Sequence, residues 1–320
     1  MKMINKPLKP MMQAALPLML PGFLFLLLQL FSSMLSAQEQ IDLLIINSDH
    51  TIKKYALTQE VFQANQDKAA TVINLADPSV VESEVVDLIK QNQFKVIYCI
   101  GTKAYLLVSR VAPNKKIVFS SAINWHRLPV TEQSYGIAQE LPTGMQLTMY
   151  RYLFPEIKKI GVLYSKQFNQ EWLSGAIQAA QDVGIELVGK DVSVGQNLST
   201  VIEELLAEVD ALWLIADPLV LADRASVVEI FLQAKNRKKP VFSYSELFID
   251  FGAILVISAD IPTIGRQASA WVNDLRNDKT ITERVSNPLG SYVILNMKKI
   301  KDYPIRLNKE ALGSVNQIIE

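Results

Sequence analysis

Short apolar runs rich in β-branched residues recur along this chain, each ending in a small polar residue or glycine, and a helix-like segment follows most of them. Five such runs are clear, at Lys95–Thr102, Lys116–Ala122, Lys159–Ser165, Ala211–Pro218 and Pro240–Ser245. Near-continuous apolar strands that alternate with amphipathic helices are typical of parallel sheets buried on both faces. The sequence therefore predicts an α/β fold of doubly wound parallel sheets.

The beginning of the chain differs from the rest. Three lysines within the first nine residues precede the apolar stretch Ala14–Phe31, and small residues follow it as far as Ala37. This order is typical of a secretory signal peptide. We therefore expect residues 1–37 to be a signal peptide cleaved near Ala37, with the mature protein in the periplasm. The alternative is an uncleaved membrane anchor, since the apolar stretch is close to the shortest length that spans a bilayer.

Charge and motif content argue against several classes of function. Basic and acidic residues number 32 each, so the chain lacks the basic excess expected of a nucleic-acid binder. His50 and His126 lie far apart, without a nearby cluster of acids or cysteines, which predicts no metal site. Cys99, the single cysteine, falls inside a predicted strand and is expected to be a buried, inert thiol. The chain has no nucleophile elbow and no zinc-protease motif, so we expect neither an enzyme nor a cofactor.

The segment Phe251–Leu275 carries a resemblance to a known family. It reads as a strand with Gly252-Ala253, then the acidic Asp260, then a helix with Gly265-Arg266-Gln267. In this order it resembles the ABC-transporter substrate-binding proteins related to tryptophan- and tyrosine-binding lipoproteins. Further segments are similar in the same order, namely Ile100-Gly101-Thr102, Ile117–Ala122, Ile157–Ser165, Val209–Pro218 and Ser291–Lys298.

The likeness covers only part of the chain. It spans about residues 96–298, whereas residues 48–91 depart from the family's pattern. No cysteine directly follows the apolar stretch to receive a lipid, which is a second departure. One wall of the ligand site is therefore not defined by the resemblance.

The resemblance implies a type I periplasmic-binding fold, in which two doubly wound parallel-sheet lobes are joined by a multi-strand hinge. Lobe 1 would comprise residues 38–137 and 259–286, and lobe 2 residues 138–258 and 287–320. The chain would cross between the lobes near three segments, Gly136–Glu140, Ser258–Ile261 and Asn287–Gly290. Hinge closure around a ligand held between the lobes would be the working motion.

Polar residues at the carboxyl ends of the predicted strands are the candidate ligand contacts, because ligands of open α/β sheets bind there. These residues are Ser48, Gly101, Thr102, Ser120, Ser121, Ser165, Asp217, Ser243 and Tyr244. The amides of Gly101 and Thr102 suit an anion at a helix start, although Thr102 could instead cap its helix. Asp217 could be an N-cap followed by Pro218, and the resemblance implies that an acid at its position contacts the ligand's amino group.

Two tryptophans could add an aromatic wall to this site. Trp125 and Trp172 each follow a predicted strand end by a few residues, where an indole ring can stack on a ligand. Packing beneath a loop is the alternative for both. Trp213, within a strand, and Trp271, on a helix, are instead expected to belong to the core.

Together these expectations describe an exported solute-binding component of an ABC uptake system. It would bind a small polar, amino-acid-like ligand in the cleft between two lobes and deliver it to an inner-membrane ABC permease. The alternative is a periplasmic sensor that reports the ligand to a membrane-bound kinase or cyclase. The poor likeness over residues 48–91 and the absent lipidation cysteine keep this alternative open.

Overall fold

The computed structural model describes residues 41–91 and 93–320. Its strands form two sheets, and helices pack on both. The predicted signal peptide, residues 1–37, lies outside the described residues. Within the described part of the chain, no helix is both long enough and apolar enough to cross a bilayer.

Among the described residues, the first sheet contains six parallel strands: β1 (Leu43–Asn47), β2 (Thr71–Asn74), β3 (Val96–Ile100), β4 (Lys116–Ser120), β5 (Ser134–Ile137) and β11 (Val285–Ser286). Their order across the sheet is β11-β5-β4-β3-β1-β2. Every residue of β1 and β3 is buried. Such continuous burial is expected of strands that are covered on both faces.

The second sheet, counted over the same residues, has seven strands: β6 (Lys159–Tyr164), β7 (Glu186–Asp191), β8 (Ala211–Trp213), β9 (Val241–Ser243), β10 (Leu255–Ala259), β12 (Ser291–Asn296) and β13 (Gln317–Ile319). Their order across the sheet is β13-β12-β10-β9-β8-β6-β7. Neighbouring strands run parallel except for β10 and β12, which are antiparallel. The second sheet is therefore mostly parallel.

Helices follow most of these strands: α1 (Lys53–Ala64), α2 (Glu82–Lys90), α3 (Thr102–Val111), α4 (Thr143–Leu153), α5 (Lys166–Asp182), α6 (Leu198–Glu208), α7 (Arg224–Asn236), α8 (Ile261–Arg276) and the single turn α9 (Met297–Ile300). Short 3-10 turns add Trp125–Arg127, Glu246–Phe248 and Lys309–Ser314. This alternation of strand and helix confirms the predicted α/β class.

Neighbouring residues of a strand enter different cores, as the two-residue period of a strand requires. In β1, Leu43 joins the core that contains Phe62 of α1, whereas Leu44 joins the core that contains Val85 of α2. The second sheet is covered likewise, by α4 and α5 on one face and by α6 and α7 on the other. Both sheets are therefore doubly wound.

Within the described residues the chain passes between the two sheets three times. Residues 138–142 lead from β5 to α4, Asp260 leads from β10 back to α8, and residues 287–290 lead from β11 to β12. Two of these crossings are adjacent, since the N–H of Asp260 donates to the carbonyl of Gly290 at 3.0 Å. The lobe boundaries and the hinge motion stay predictions.

Gly265 lies on α8 in close contact with α1. A Cβ atom at this position would lie 2.9 Å from the backbone oxygen of Thr58 and 3.1 Å from Cβ of Val61. Gly265→Ala is therefore expected to force the helices apart and to lower the free energy of unfolding by about 1–3 kcal/mol, as overpacking does. Chemical denaturation of the purified variant measures this loss.

Gly175, on the exposed side of α5, offers a matched control. Nothing lies within 4 Å of a Cβ atom added there. Gly175→Ala should therefore raise the free energy of unfolding by about 0.5–1 kcal/mol, because alanine is the better helix former. Similar stabilities for the two variants would contradict the close approach of α1 and α8.

Candidate functional site

The predicted site residues of the first sheet lie side by side at the carboxyl ends of β1, β3 and β4. The N–H of Ser48 donates to the carbonyl of Ile100 at 2.9 Å, and that of Gly101 donates to the carbonyl of Ser120 at 2.8 Å. Gly101 has a φ of 86°, and a Cβ atom there would lie 2.7 Å from Oγ of Ser48. Only glycine fits this position, and the backbone itself holds the strand ends together.

The hydroxyl groups at these strand ends are bonded within the protein. Oγ of Ser48 accepts from a backbone N–H in the first turn of α3 at 3.0 Å. Oγ of Ser120 lies 2.6 Å from the hydroxyl of Tyr98, and Oγ of Ser121 lies 3.2 Å from Oγ1 of Thr58. All three serines are buried. Their contact with a ligand stays a prediction.

The start of α3 shows which residue caps this helix. Gly101 is the N-cap residue and Thr102 is the first helical residue, so the interpretation of Thr102 as the cap is wrong. The N–H groups of Thr102 and Lys103 take part in none of the backbone hydrogen bonds of the described residues. An anion at this helix start would therefore meet these amides rather than that of Gly101, which already donates to Ser120.

Asp217 and Ser165 form the centre of the second group of predicted residues. The Asp217 carboxylate accepts from the N–H of Ser165 at 2.7 Å, from the Ser165 hydroxyl at 2.8 Å and from Nδ2 of Asn169 at 2.6 Å. It also accepts from the N–H groups of Leu219 at 2.9 Å and Val220 at 3.1 Å. Asp217 is only 1% exposed. Because a carboxylate offers about four lone-pair positions, these donors occupy it fully.

These contacts revise the interpretation of Asp217. The helix that follows Asp217 begins only at Arg224, where Asp223 is the N-cap, so the interpretation of Asp217 as an N-cap is wrong. Its carboxylate instead closes a turn over residues 217–221 and joins that turn to the end of β6. Contact between Asp217 and an amino group stays a prediction, and it would require the ligand to displace a protein donor.

Ser243 and Tyr244 end the neighbouring strand β9. The buried Ser243 hydroxyl donates to the carbonyl of Ser245 and accepts from its N–H, so it stabilises its own turn. Tyr244 is half-buried, and its ring packs edge-on against Phe248. Burial raises the pKa of Tyr244 to about 12, and the Glu140 carboxylate adds to this effect. The phenol therefore remains a hydrogen-bond donor at neutral pH.

Both tryptophans of the predicted aromatic wall contact the core. Trp172 packs edge-on against Trp213, with ring centroids 5.2 Å apart. Trp125 packs against the core of the first sheet beside His126. Both indoles are half-buried. Their stacking on a ligand stays a prediction.

Asn124 and Arg127, which begin and end the turn after β4, connect the two groups of strand ends. Nδ2 of Asn124 donates to the carbonyl of Ala216 at 3.1 Å. The Arg127 guanidinium lies 4.6 Å from the ring centroid of Phe168 and 3.5 Å from Oδ1 of Asn169. The carboxyl ends of β1, β3 and β4 thus face those of β6, β8 and β9. We call the space between them the inter-sheet cleft.

Sequence reasoning missed a residue of this cleft that has a polar atom without a hydrogen-bond partner. Glu140, in the crossing at residues 138–142, accepts from the N–H of Asn124 through Oε1. Its Oε2 is buried without a partner among the described residues. Burial raises the pKa of Glu140, while backbone N–H groups and the charge of Lys54 act in the opposite direction. An acid inside a predicted crossing segment was the signal that could have identified it.

Lys54 and Tyr55, at the start of α1, complete this side of the cleft. Nζ of Lys54 lies 5.1 Å from the ring centroid of Tyr55. The Tyr55 ring in turn lies against Gly101, because a Cβ atom there would be 2.9 Å from Cζ of Tyr55. Both residues fall in the segment where the resemblance is poor, so nothing in the sequence marked them.

No group of three or more His, Cys, Asp or Glu residues in the described part of the chain could hold a metal ion. Cys99 is buried in β3, as predicted, and burial raises the pKa of its thiol. A cavity of about 400 Å³ contains none of the predicted site residues, its lining being Met297, Lys298, Lys301, Leu312, Ile318 and Glu320.

A family model confirms the resemblance. The model of the family described as "ABC transporter substrate binding protein" matches residues 74–319. No curated protein sequence matches the chain.

Solved structures show the same fold. A ligand-free, open substrate-binding protein with adhesive properties from Clostridium difficile has a TM-score of 0.69 and 14% identity, over 87% of this chain and 99% of that one. An ABC domain in complex with L-Trp from Streptococcus pneumonia has a TM-score of 0.59 and 16% identity, over 87% of this chain and 100% of that one. A conserved domain protein from Vibrio cholerae has a TM-score of 0.60 and 16% identity, over 88% and 100%. The predicted type I periplasmic-binding fold is thereby confirmed.

Proposed function

Since this chain belongs to the family of ABC transporter substrate-binding proteins, we propose that it is the exported solute-binding component of an ABC uptake system. The role of this family is solute binding, and the chain is not an enzyme. The protein would work in the periplasm, which it would reach through the predicted signal peptide. It would capture a small polar, amino-acid-like ligand and deliver it to an inner-membrane ABC permease.

The meeting of two sets of strand ends across the inter-sheet cleft is the observation that carries this proposal. Asn124 and Arg127 reach from the end of β4 to residues that follow β8 and β6. Three chain crossings between the sheets suit a hinge about which the two sides separate and close. A solute held in this cleft would be enclosed when the sides close.

Charges of both signs in the cleft favour a zwitterionic ligand. Glu140 supplies a negative charge, and Lys54 and Arg127 supply positive charges near it. The amides of Thr102 and Lys103 at the start of α3 would suit a carboxylate. The L-Trp in the similar structure from Streptococcus pneumonia supports amino acids as the first compounds to test.

Calorimetry of the purified protein against the standard L-amino acids, with sugars as controls, tests the proposal. We expect saturable heat from one or a few amino acids. The same compounds should raise the unfolding temperature, because a ligand at 100 times its Kd stabilises the native state by about 2.7 kcal/mol. Binding of a sugar alone would contradict the ligand class, and neither heat nor a thermal shift with any compound would contradict solute binding.

The alternative role as a ligand sensor for a membrane-bound kinase or cyclase stays a prediction. Uptake of the labelled ligand by cells with and without the gene separates the two roles. Loss of uptake in the deletion strain favours transport. Normal uptake with an altered response to the ligand would favour sensing.

A further inference from the structure

Glu140 lies between β5 and α4, and only one of its two carboxylate oxygens has a hydrogen-bond partner. Oε1 accepts a hydrogen bond from the backbone N–H of Asn124. Oε2 is buried and has no hydrogen-bond partner among the described residues. Because buried polar atoms in folded proteins nearly always have a partner, the free oxygen indicates that a donor from outside the polypeptide completes this site.

Groups from both sides of the inter-sheet cleft face this carboxylate. Lys54 on α1 and Arg127 after β4 interact with it electrostatically, and Tyr244 lies at the end of β9 on the opposite side. Neither cation is a hydrogen-bond partner of Oε2. Burial raises the pKa of Glu140, since the removal of water disfavours the charged form. The backbone N–H groups of Gln139 and Glu140 also act on this carboxylate, yet Oε2 itself has no hydrogen-bond donor.

We propose that Glu140 determines specificity by binding a protonated amino group of the solute through Oε2. This inference rests on the proposed function and names its ligand class, a primary ammonium such as that of an amino acid. An ammonium supplies the missing donor together with a positive charge, and such charge-assisted hydrogen bonds are about twice as strong as neutral ones. A sugar hydroxyl would supply only the donor.

Asp217, the other acid near the cleft, is less suited to this role. Its oxygens already accept from the backbone and side chain of Ser165, from Asn169 and from the turn that follows. An ammonium would have to break one of these bonds, whereas Oε2 of Glu140 has none to break. The two acids thus differ in their free acceptor capacity.

The variant Glu140→Gln tests the inference, because it keeps the size of the side chain and an acceptor for Asn124 but removes the charge. The probes are the standard L-amino acids and their N-acetyl derivatives, which lack the ammonium. We expect the wild type to bind its best amino acid at least about 10-fold more tightly than the N-acetyl derivative. In Glu140→Gln the affinity for the amino acid should fall about 10- to 100-fold, and that for the derivative should stay unchanged.

Glu82→Gln is the matched control, since Glu82 pairs with Arg110 on the exposed surface; it should bind like the wild type. Equal affinity of the wild type and Glu140→Gln for the amino acid would overturn the inference and leave solute binding intact. A wild type that binds none of the compounds would instead contradict the proposed function.

If Glu140→Gln fails to fold, the pH dependence of ligand affinity in the wild type tests the inference instead. An ammonium binds the ionised carboxylate, which is lost as the pH falls through the raised pKa of Glu140. Affinity for the amino acid should therefore fall as the pH is lowered from neutrality through this raised pKa, while affinity for the N-acetyl derivative should not. Lys54 and Arg127 only gain protons in this direction, and Tyr244 does not titrate in this range. A flat profile for the amino acid would overturn the inference.

Discussion

Asp217→Ala is expected to lower the free energy of unfolding by about 3–5 kcal/mol, the cost typical of removing one partner from a buried charged network. The loss would leave the N–H groups of Ser165, Leu219 and Val220, and the amide of Asn169, without their acceptor. Each buried donor without a partner costs about 1–3 kcal/mol. Urea denaturation followed by circular dichroism measures the change.

Asp223→Ala is the matched control for this prediction. Asp223 also accepts from a backbone N–H and a hydroxyl, both of Ser226, but it is exposed at the start of α7. Asp223→Ala should lower the free energy of unfolding by about 1 kcal/mol, as the loss of other N-cap residues does. If Asp217→Ala were as stable as the wild type but bound no ligand, Asp217 would be a ligand contact rather than a structural residue.

Arg276→Ala is expected to lower the free energy of unfolding by about 2–4 kcal/mol. Arg276 lies at the end of α8, pairs with Asp42 just before β1 and donates to Gln66 after α1 at 3.1 Å. The side chains of Arg276 and Asp42 are 7% and 17% exposed. Breaking a fully buried pair costs about 3–5 kcal/mol, and the partial exposure of Asp42 reduces this figure.

The exposed pair of Arg110 and Glu82 provides the comparison. Its N···O distance is 3.1 Å, yet both side chains are more than half exposed. Arg110→Ala should therefore change the free energy of unfolding by no more than about 0.5 kcal/mol. Thermal and urea unfolding of the two arginine variants measure this difference. An equal loss in the free energy of unfolding of both variants would contradict the special role of Arg276.

The longer elements were predictable from the sequence because their signals are local. The predicted strand regions Lys95–Thr102, Lys116–Ala122 and Lys159–Ser165 contain β3, β4 and β6. By contrast, the pattern did not identify β5, β11 or β13 as strands. These strands have only two to four residues and, unlike the equally short β8 and β9, they do not lie inside a longer apolar run. They offer too few positions for a period to be recognised, and they form because a neighbouring strand offers hydrogen bonds.

The candidate site was predictable only as a location. The sequence indicated that Ser48, Gly101, Ser120, Ser165 and Asp217 would lie at strand ends, and the structure places them at the ends of neighbouring strands. The sequence could not indicate that the polar atoms of these residues would form hydrogen bonds within the protein. Hydrogen bonding depends on partners distant in the chain, such as Ser165 for Asp217, which are 52 residues apart.

The amino-acid sequence alone determined the alternation of strand and helix, because the side-chain period is a property of consecutive residues. It also determined the edge of each sheet at which polar residues lie, since that edge follows from the direction of the strands. Only the tertiary structure decided that the acceptor oxygens of Asp217 are fully occupied while Oε2 of Glu140 has no partner. That difference arises from packing between distant segments. Burial removes water from a carboxylate, and the groups brought beside it then determine whether it has free capacity for a ligand.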